Sequence, residues 1–151
     1  MADGRWYDLL LPTIPATIIG GAGFWVVHHL SVRRQRRDEF FKLTQTARDQ
    51  LHQAESEAIK TWRKPGSDQD AQENAVNVVH LCARLGRTLG ALKRRRPEFD
   101  TKRDMAIFRK IATEDIEDPK RDAAPDRTHK VAHAASRLDE RVDALIFRIF
   151  G

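Results

Sequence analysis

The sequence is poor in several features, and each scarcity excludes a class of protein. Cys82 is the single cysteine among 151 residues, which rules out an internal disulfide framework and leaves the fold to be held by packing. Glycine and proline are ordinary at 8 and 6, and 40% of the residues are apolar, so collagen-like repeats and wholesale disorder are both excluded. No stretch alternates apolar and polar residues over the length of a strand. We therefore expect an all-α protein of one domain's size.

Charge is missing from one long stretch near the N-terminus. Residues 9–27 read LLLPTIPATIIGGAGFWVV, although charged residues make up 32% of the whole chain. As a helix this stretch would be about 28 Å long, close to the hydrocarbon thickness of a bilayer. Trp6 and Tyr7 precede it and Trp25 lies near its far end, in the manner of interfacial aromatic residues. The pattern predicts one retained transmembrane anchor within residues 1–30.

Two alternatives compete with the anchor. A cleaved signal peptide would begin with a basic region, but the first eight residues hold Arg5 against Asp3 and Asp8. A buried helix of a soluble domain would not need the flanking aromatic residues. Both alternatives are therefore disfavoured.

The basic residues that follow the charge-free stretch predict its orientation. One basic residue, Arg5, precedes the stretch, whereas four arginines follow it closely: Arg33, Arg34, Arg36 and Arg37. The positive-inside rule then predicts an N-terminus outside and a cytoplasmic domain over residues 31–151. The same arginines lie where anionic lipid headgroups would meet them, so they are candidate lipid contacts as well as topology signals.

Small residues recur every four positions inside the charge-free stretch. They form one series of Thr13, Thr17 and Gly21 and another of Ala16 and Gly20. Small residues at this spacing let two helices approach closely in lipid, which favours self-association or docking on another membrane protein. The alternative is that these residues are simply tolerated in a membrane span.

Four apolar series with helical spacing follow the arginines. The first begins at Phe40 and ends at Trp62, before Lys64-Pro65-Gly66, and no helix-breaking residue separates it from Val27. The sequence therefore allows one continuous helix of about fifty residues. The second series begins at Ala71 and ends before Pro97.

The third and fourth series complete the predicted bundle. The third is a short helix whose inner residues are Met105, Phe108, Ile111 and Ala112. The fourth spans about residues 126–150, and its inner residues are Val131, Ala135, Leu138, Val142, Leu145 and Ile149. Residues 114–125 carry two prolines and alternating charge, which predicts a loop or linker. We expect a cytoplasmic bundle of three long helices and one short helix. Heptad spacing in the second and last helices would also suit a coiled coil between chains.

Two patterns resemble helix-capping boxes. Ser67 with Asp70 precedes the second helix, and Thr101 with Asp104 precedes the third. In such a box the hydroxyl of the first residue accepts a hydrogen bond from the backbone of the helix that it opens. We therefore expect Ser67 and Thr101 to be the N-cap residues.

The chain shows no constellation typical of catalysis or of metal binding. His129 and His133 are one helical turn apart, but a zinc site needs three or four convergent ligands. Cys82 falls on an apolar helix face, where its thiol is a poor nucleophile. Gly86 and Gly90 lie four residues apart outside the charge-free stretch, and we interpret them as permitting close helix packing. We expect no enzymatic activity, no cofactor and no metal.

Two surfaces remain as candidate contacts. Residues 93–96, Lys-Arg-Arg-Arg, are expected to form a solvated helix end, and nucleic acid is disfavoured because stacking aromatic residues are missing around them. The last residues are apolar nearly all round, so Ile146, Phe147 and Phe150 are a candidate partner surface. They could also finish the core or fold back on the bilayer.

The leading hypothesis is a membrane-anchored, non-enzymatic interaction or regulatory module. It would lie at the cytoplasmic face of a bacterial inner membrane, as a single-pass protein with a protein partner or as a homo-oligomer. The bacterial source is inferred from the short chain rich in Arg and Ala. The alternative is a membrane-active effector, holin-like or toxin-like, that oligomerises through its transmembrane helix.

Overall fold

A computed structural model describes the backbone of residues 13–151 and the side chains of Trp25 and of residues 27–151. The described residues form four α-helices and no strand, which confirms the all-α prediction. The helices are α1 (Thr13–Trp62), α2 (Gln69–Arg95), α3 (Lys102–Thr113) and α4 (Pro125–Phe150). Three of them are long and one is short, as the apolar spacing predicts.

Helix α1 runs without a break past residues 27–40, so the continuity that the sequence allows is realised. The chain divides into two compact units within this helix, one ending at Glu39 and one beginning at Phe40. In the first unit, the described side chains are exposed except that of Val32, which is half-buried. Trp25 and His29 stack there with their ring centroids 5.3 Å apart.

Among the described residues, no helix is long and apolar enough to cross a membrane. This finding does not support the predicted transmembrane helix. Most of that prediction falls on residues 9–24, whose side chains lie outside the described part of the chain. The predicted packing stripe lies there too, at Thr13, Ala16, Thr17, Gly20 and Gly21, where the backbone alone is described and is helical.

The second unit, residues 40–151, is an up-and-down bundle. The Phe40 ring lies 5.6 Å from that of Phe99, which follows α2, and 5.4 Å from that of Phe150, which ends α4. At the opposite end, the Trp62 indole donates a hydrogen bond to the Ala112 carbonyl at 3.2 Å, and the Ala124 amide donates to the Trp62 carbonyl at 2.9 Å. Successive helices are therefore antiparallel within this unit.

The core lies where the apolar series predict it. The predicted inner positions of α1 and α2 are buried, except that Leu43 is half-buried. In α3 and α4, three predicted inner residues are half-buried (Met105, Ile111 and Ile149) and the others are buried. Since these faces are covered by helices of the same chain, the heptad spacing of α2 and α4 describes packing inside the bundle.

Two residues of the connections also belong to the core, and the apolar spacing missed them. Phe99 is 0% exposed and Ile116 is 2% exposed, although both lie outside the helices. Phe99 sits between α2 and α3 and packs edge-on against Phe40. A helical period cannot find such residues because the connections have no regular period.

Of the two predicted capping boxes, one is wrong in its capping residue, and the other has the predicted residue at the N-cap without its side-chain hydrogen bond. The N-cap of α2 is Asp68, whose carboxylate accepts a hydrogen bond from the Ala71 amide at 3.0 Å. Thr101 occupies the N-cap position of α3 but makes no side-chain capping bond, and Asp100 accepts from the Lys102 amide at 3.1 Å instead. In each case a neighbouring aspartate satisfies an amide of the first helical turn, because its carboxylate is the stronger acceptor.

Arg121 joins two connections at the Trp62 end of the bundle, the one between α1 and α2 and the one between α3 and α4. Its guanidinium donates hydrogen bonds to three backbone carbonyls, those of Thr61, Lys64 and Ile116, at 2.8 to 3.0 Å. It also lies 4.8 Å from the centre of the Trp62 ring. Burial lowers the pKa of Arg121, and the positive charge of Arg127 lowers it further by a smaller amount. This side chain therefore fixes the 114–124 connection against the end of α1.

Candidate interaction groove

A groove of about 820 Å³ lies between α2 and α3. The two helices run antiparallel beside it, since Lys93 is paired with Asp100 at 3.0 Å at one end and Arg109 lies near Cys82 toward the other. Between these points Gly86 faces Met105. The groove therefore follows the length of α3 rather than forming a round hole.

The floor of the groove consists of small and apolar residues. Helix α2 contributes Ala83, Gly86 and Gly90, and α3 contributes Met105 and Ala106. Ala106 is exposed, and the other four are half-buried. Small residues leave the helix backbones accessible, and the unbranched Met side chain adapts its shape to what it contacts. This surface is suited to receive another apolar surface.

The glycines of α2 do not do what the sequence predicts. A Cβ atom at Gly86 would meet no neighbour closer than the Met105 methyl group at 4.0 Å, and one at Gly90 would meet none closer than an Arg94 nitrogen at 3.8 Å. Both distances are ordinary van der Waals contacts or more. The interpretation that these glycines permit close helix packing is therefore wrong, because no helix of the described residues is packed closely enough to require glycine there.

Cations surround this apolar floor. Five basic side chains line the groove, and two carboxylates stand among them. The basic residues are Arg87, Lys93, Lys102, Arg109 and Lys110, all of them exposed. Lys93 is paired with Asp100, and Lys110 lies 3.9 Å from Glu114. Within the described residues no carboxylate lies within salt-bridge distance of Arg87, Lys102 or Arg109.

Cys82 lies at the edge of the groove but is 1% exposed. Burial raises the pKa of its thiol to about 11, and the nearby positive charge of Arg109 acts in the opposite direction. The thiol is therefore protonated at neutral pH, as the apolar face of the helix predicts. Cys82 packs here as a small apolar residue.

The predicted partner surface at the C-terminus is divided by the fold. Ile146 and Phe150 pack against the core, and the Phe150 ring lies 5.1 Å from that of Phe41. Phe147, by contrast, is 77% exposed. The last turn of α4 therefore completes the core with most of its apolar residues, and one aromatic ring faces outward.

The other predicted contact residues lie apart from the groove or at its edge. The lipid candidates Arg33, Arg34, Arg36 and Arg37 are exposed on α1 in the first unit. Of the basic run 93–96, Lys93 lines the groove, and the Arg96 guanidinium lies 5.7 Å from the centre of the Phe150 ring. That run is exposed, as expected for a helix end.

His129 and His133 are both exposed on α4. Within the part of the chain that the structure describes, no three His, Cys, Asp or Glu side chains come together as metal ligands.

A second groove, of about 880 Å³, lies between α3 and α4. Its lining is mostly charged, and the two signs are nearly balanced. The basic residues are Lys102, Arg103, Arg137 and Arg141, and the acidic residues are Asp100, Asp104 and Glu140. It has little of the apolar floor that typical ligand and partner sites possess. The groove between α2 and α3 is therefore the better candidate site.

No family model, no curated protein and no solved structure matches this chain. A function for this chain is therefore inferred from its residues and their geometry.

The apolar periods of the helices do not reveal this groove, but a weaker signal is present in the sequence. Ala83, Gly86 and Gly90 lie three or four residues apart, which places them on one face of α2 beside its buried face. Arg87 and Lys93 flank this face. Such a face of small residues bordered by cations can pack against another helix or stay open. In the structure, α3 leaves it open.

Proposed function

We propose that this protein is a membrane-anchored, non-enzymatic interaction module that holds a partner protein at the cytoplasmic face of a bacterial inner membrane. The observation that carries the proposal is the open groove between α2 and α3. Its apolar floor is exposed to water beside helices whose other apolar faces are buried in the core. An apolar groove surrounded by polar side chains typically marks a site of interaction.

The anchoring part of the proposal is supported by the sequence. Residues 9–27 carry no charge, and four arginines follow within ten residues. A stretch of this length can span the hydrocarbon layer, and the arginines would remain in the cytoplasm. The bundle would then be tethered at the inner face, where the arginines also attract anionic lipids.

Fractionation tests the anchor. The full chain should remain in membranes after alkaline carbonate washing, and the double substitution Ile18→Arg with Ile19→Arg should release it, because two charges near the centre of a span oppose insertion by several kcal/mol. Phe147→Arg serves as a control for added charge. Release of the unaltered protein by carbonate would refute the anchor.

Site-specific photo-crosslinking in cells of the source organism tests the interaction. A photoreactive amino acid at Ala106, in the groove, should give a discrete adduct with one protein. The same amino acid at Asn77, exposed on α2 outside the groove lining, should not give that adduct. Absence of an adduct from Ala106, or the same adducts from both positions, would contradict the proposal.

A membrane-active effector is the second candidate. It is supported by the spacing of Thr13, Thr17 and Gly21, which recur every four residues and would share one face of a helix. Induced expression of such an effector should arrest growth, and Gly21→Leu should abolish the arrest while leaving the protein level unchanged. Full growth of cells that express the unaltered chain in their membranes would exclude this candidate.

A further inference from the structure

We infer that the groove between α2 and α3 receives an acidic amphipathic helix of the partner protein. The inference rests on the proposed function and names the chemistry of the partner. Three properties of the groove carry it: its length, its flat apolar floor and the sign of the charge around it.

The length of the groove matches a short helix. Its lining residues on α2 extend from Cys82 to Lys93, and those on α3 extend from Thr101 to Thr113. At a rise of about 1.5 Å per residue, these segments are about 17 to 18 Å long, or three helical turns. A compact small molecule would leave much of such a groove empty, whereas a helix of three to four turns would lie along it.

The floor allows close approach of a second backbone. Gly86 and Gly90 have no side chain, and a Cβ atom added at either would meet no neighbour closer than 3.8 Å. Glycine is less favourable than alanine within a helix because it loses more backbone entropy on folding. Two glycines one turn apart thus lower the stability of α2, and both of them line the groove. Met105 on the opposite side provides an adaptable apolar contact.

The charge around the floor selects an acidic partner. Five cations and two carboxylates line the groove. Asp100 is paired with Lys93 at 3.0 Å, and Glu114 is paired with Arg127 at 3.1 Å and lies 3.9 Å from Lys110. Arg87, Lys102 and Arg109 form no salt bridge with a carboxylate of the described residues, although the charge of Lys102 acts on the nearby Asp100. Since Arg87 is on α2 and the other two are on α3, a helix lying between them would meet cations along both of its flanks.

A second copy of this chain fits less well. A symmetric contact would bring the groove of one copy against the groove of the other. The same cations would then face each other, and like charges in contact oppose association. An apolar helix with Glu or Asp along both flanks has the complementary pattern.

Two synthetic peptides of four turns test the inference directly. They share one apolar face of Leu and Ala and differ only in their flanks, which are Glu in one and Lys in the other. Binding is measured by fluorescence anisotropy on the full chain in zwitterionic lipid nanodiscs, with empty nanodiscs as the blank. We expect the Glu peptide to bind at least about tenfold more tightly than the Lys peptide.

Three variants locate the binding. Arg109→Glu should weaken binding of the Glu peptide by about tenfold, and the matched change Arg84→Glu, on α2 but outside the groove, should alter it by less than about twofold. Gly90→Leu should abolish binding because its side chain would fill the groove. Leucine is a better helix former than glycine, so the unfolding temperature of this variant should not fall.

The outcomes separate the inference from the proposed function. Equal binding of the two peptides, binding of neither, or unchanged binding to the Gly90→Leu variant would overturn the acidic helix. Palmitate is added as a competing anionic amphiphile. If palmitate bound at the groove and neither peptide did, that result would also overturn the acidic helix. A discrete adduct from Ala106 in cells would still support the interaction module after such a result. Failure of both experiments would remove both proposals.

Discussion

Gly66 shows how strictly one residue is constrained at the Trp62 end of the bundle. A Cβ atom there would overlap the Asp118 carbonyl oxygen and would lie 2.8 Å from the Cγ of Arg121. The Gly66 amide also donates a hydrogen bond to the Arg121 carbonyl at 2.9 Å. The connection between α3 and α4 thus passes over Gly66 at a distance that only glycine allows.

Gly66→Ala should therefore destabilise the protein by on the order of 3 kcal/mol, because backbone atoms, rather than a flexible side chain, would have to move. Chemical denaturation monitored by circular dichroism measures this loss. Gly86→Ala is the matched control, since the same added methyl group meets no atom closer than 4.0 Å there. Equal stability of the two variants would show that the connection does not pack on Gly66.

Asp68 links the stability of α2 to pH. The hydrogen bond from the Ala71 amide is the largest effect on the pKa of this carboxyl and lowers it. Burial acts in the opposite direction, and the hydrogen bond from Lys64 lowers the pKa further. A carboxyl whose pKa is lowered in the folded state stabilises it above the ordinary value of about 3.9, and this stabilisation is lost as the pH falls through the folded value.

Asp68→Ala should accordingly lower the unfolding temperature at pH 7 because α2 loses its cap. The difference from the unaltered protein should shrink as the pH falls below about 4 and then through the lowered folded pKa, where the native carboxyl becomes protonated. Thermal unfolding at a series of pH values gives this comparison. Asp122→Ala, at an exposed residue of the 114–124 connection, should show little difference at any of these pH values. A gap that persists at the lowest pH would indicate that the ionised carboxylate is not what stabilises α2.

At the scale of the element, α2 combines a face built for the core with a face that the core leaves open. Its buried residues repeat at spacings of three and four from Ala71 to Leu92. Gly86 and Gly90 lie beside this face and line the groove. The same helix therefore serves both the fold and the candidate site, and the two roles are assigned to different sides of it.

The double substitution Gly86→Ala with Gly90→Ala should raise the free energy of unfolding by about 1–2 kcal/mol. Each alanine removes about 0.5–1 kcal/mol of unfavourable backbone entropy, and the added methyl groups would meet their nearest neighbours at ordinary van der Waals distances of 4.0 and 3.8 Å. Urea denaturation provides the measurement. A loss of stability would mean that α3 lies closer to α2 than the groove geometry shows.

The inner faces of the helices could be predicted from sequence because burial on a helix imposes a period. Val78, Leu85 and Leu138 are each at most 1% exposed, and all fall on the predicted faces. The caps and the buried connection residues could not be predicted in the same way. Whether Ser67 or Asp68 caps α2 depends on one residue of register, and Phe99 is buried by contacts with residues far away in the chain.

For the whole molecule, the boundary between Glu39 and Phe40 is the main division. Core residues on α1 begin at Phe40, and contacts across the bundle fix both of its ends within residues 40–151. Arg48 forms ion pairs with Asp139 and Asp143, which connects α1 to α4 inside the same unit. The bundle thus contains its own core.

A fragment of residues 40–151 should therefore fold by itself. We expect a helical circular dichroism spectrum and one cooperative unfolding transition, since every core residue that the structure describes lies in the fragment. A fragment of residues 54–151, which lacks Phe40, Ala47 and Leu51, should unfold at a much lower temperature. A longer fragment that folds where residues 40–151 do not would place part of the core before Phe40.

The sequence by itself determined the helical class, the number of long and short helices and the face of each helix that enters the core, because these depend on composition and on local period. It also defined the charge-free stretch and the arginines that follow it, on which the proposed anchor rests. The tertiary structure alone decided which small residues of α2 are left uncovered. Gly86 and Gly90 have the spacing of packed helices, yet α3 runs beside them without filling the space. Whether a surface is covered depends on the path of residues distant in the chain, and no local period records that path.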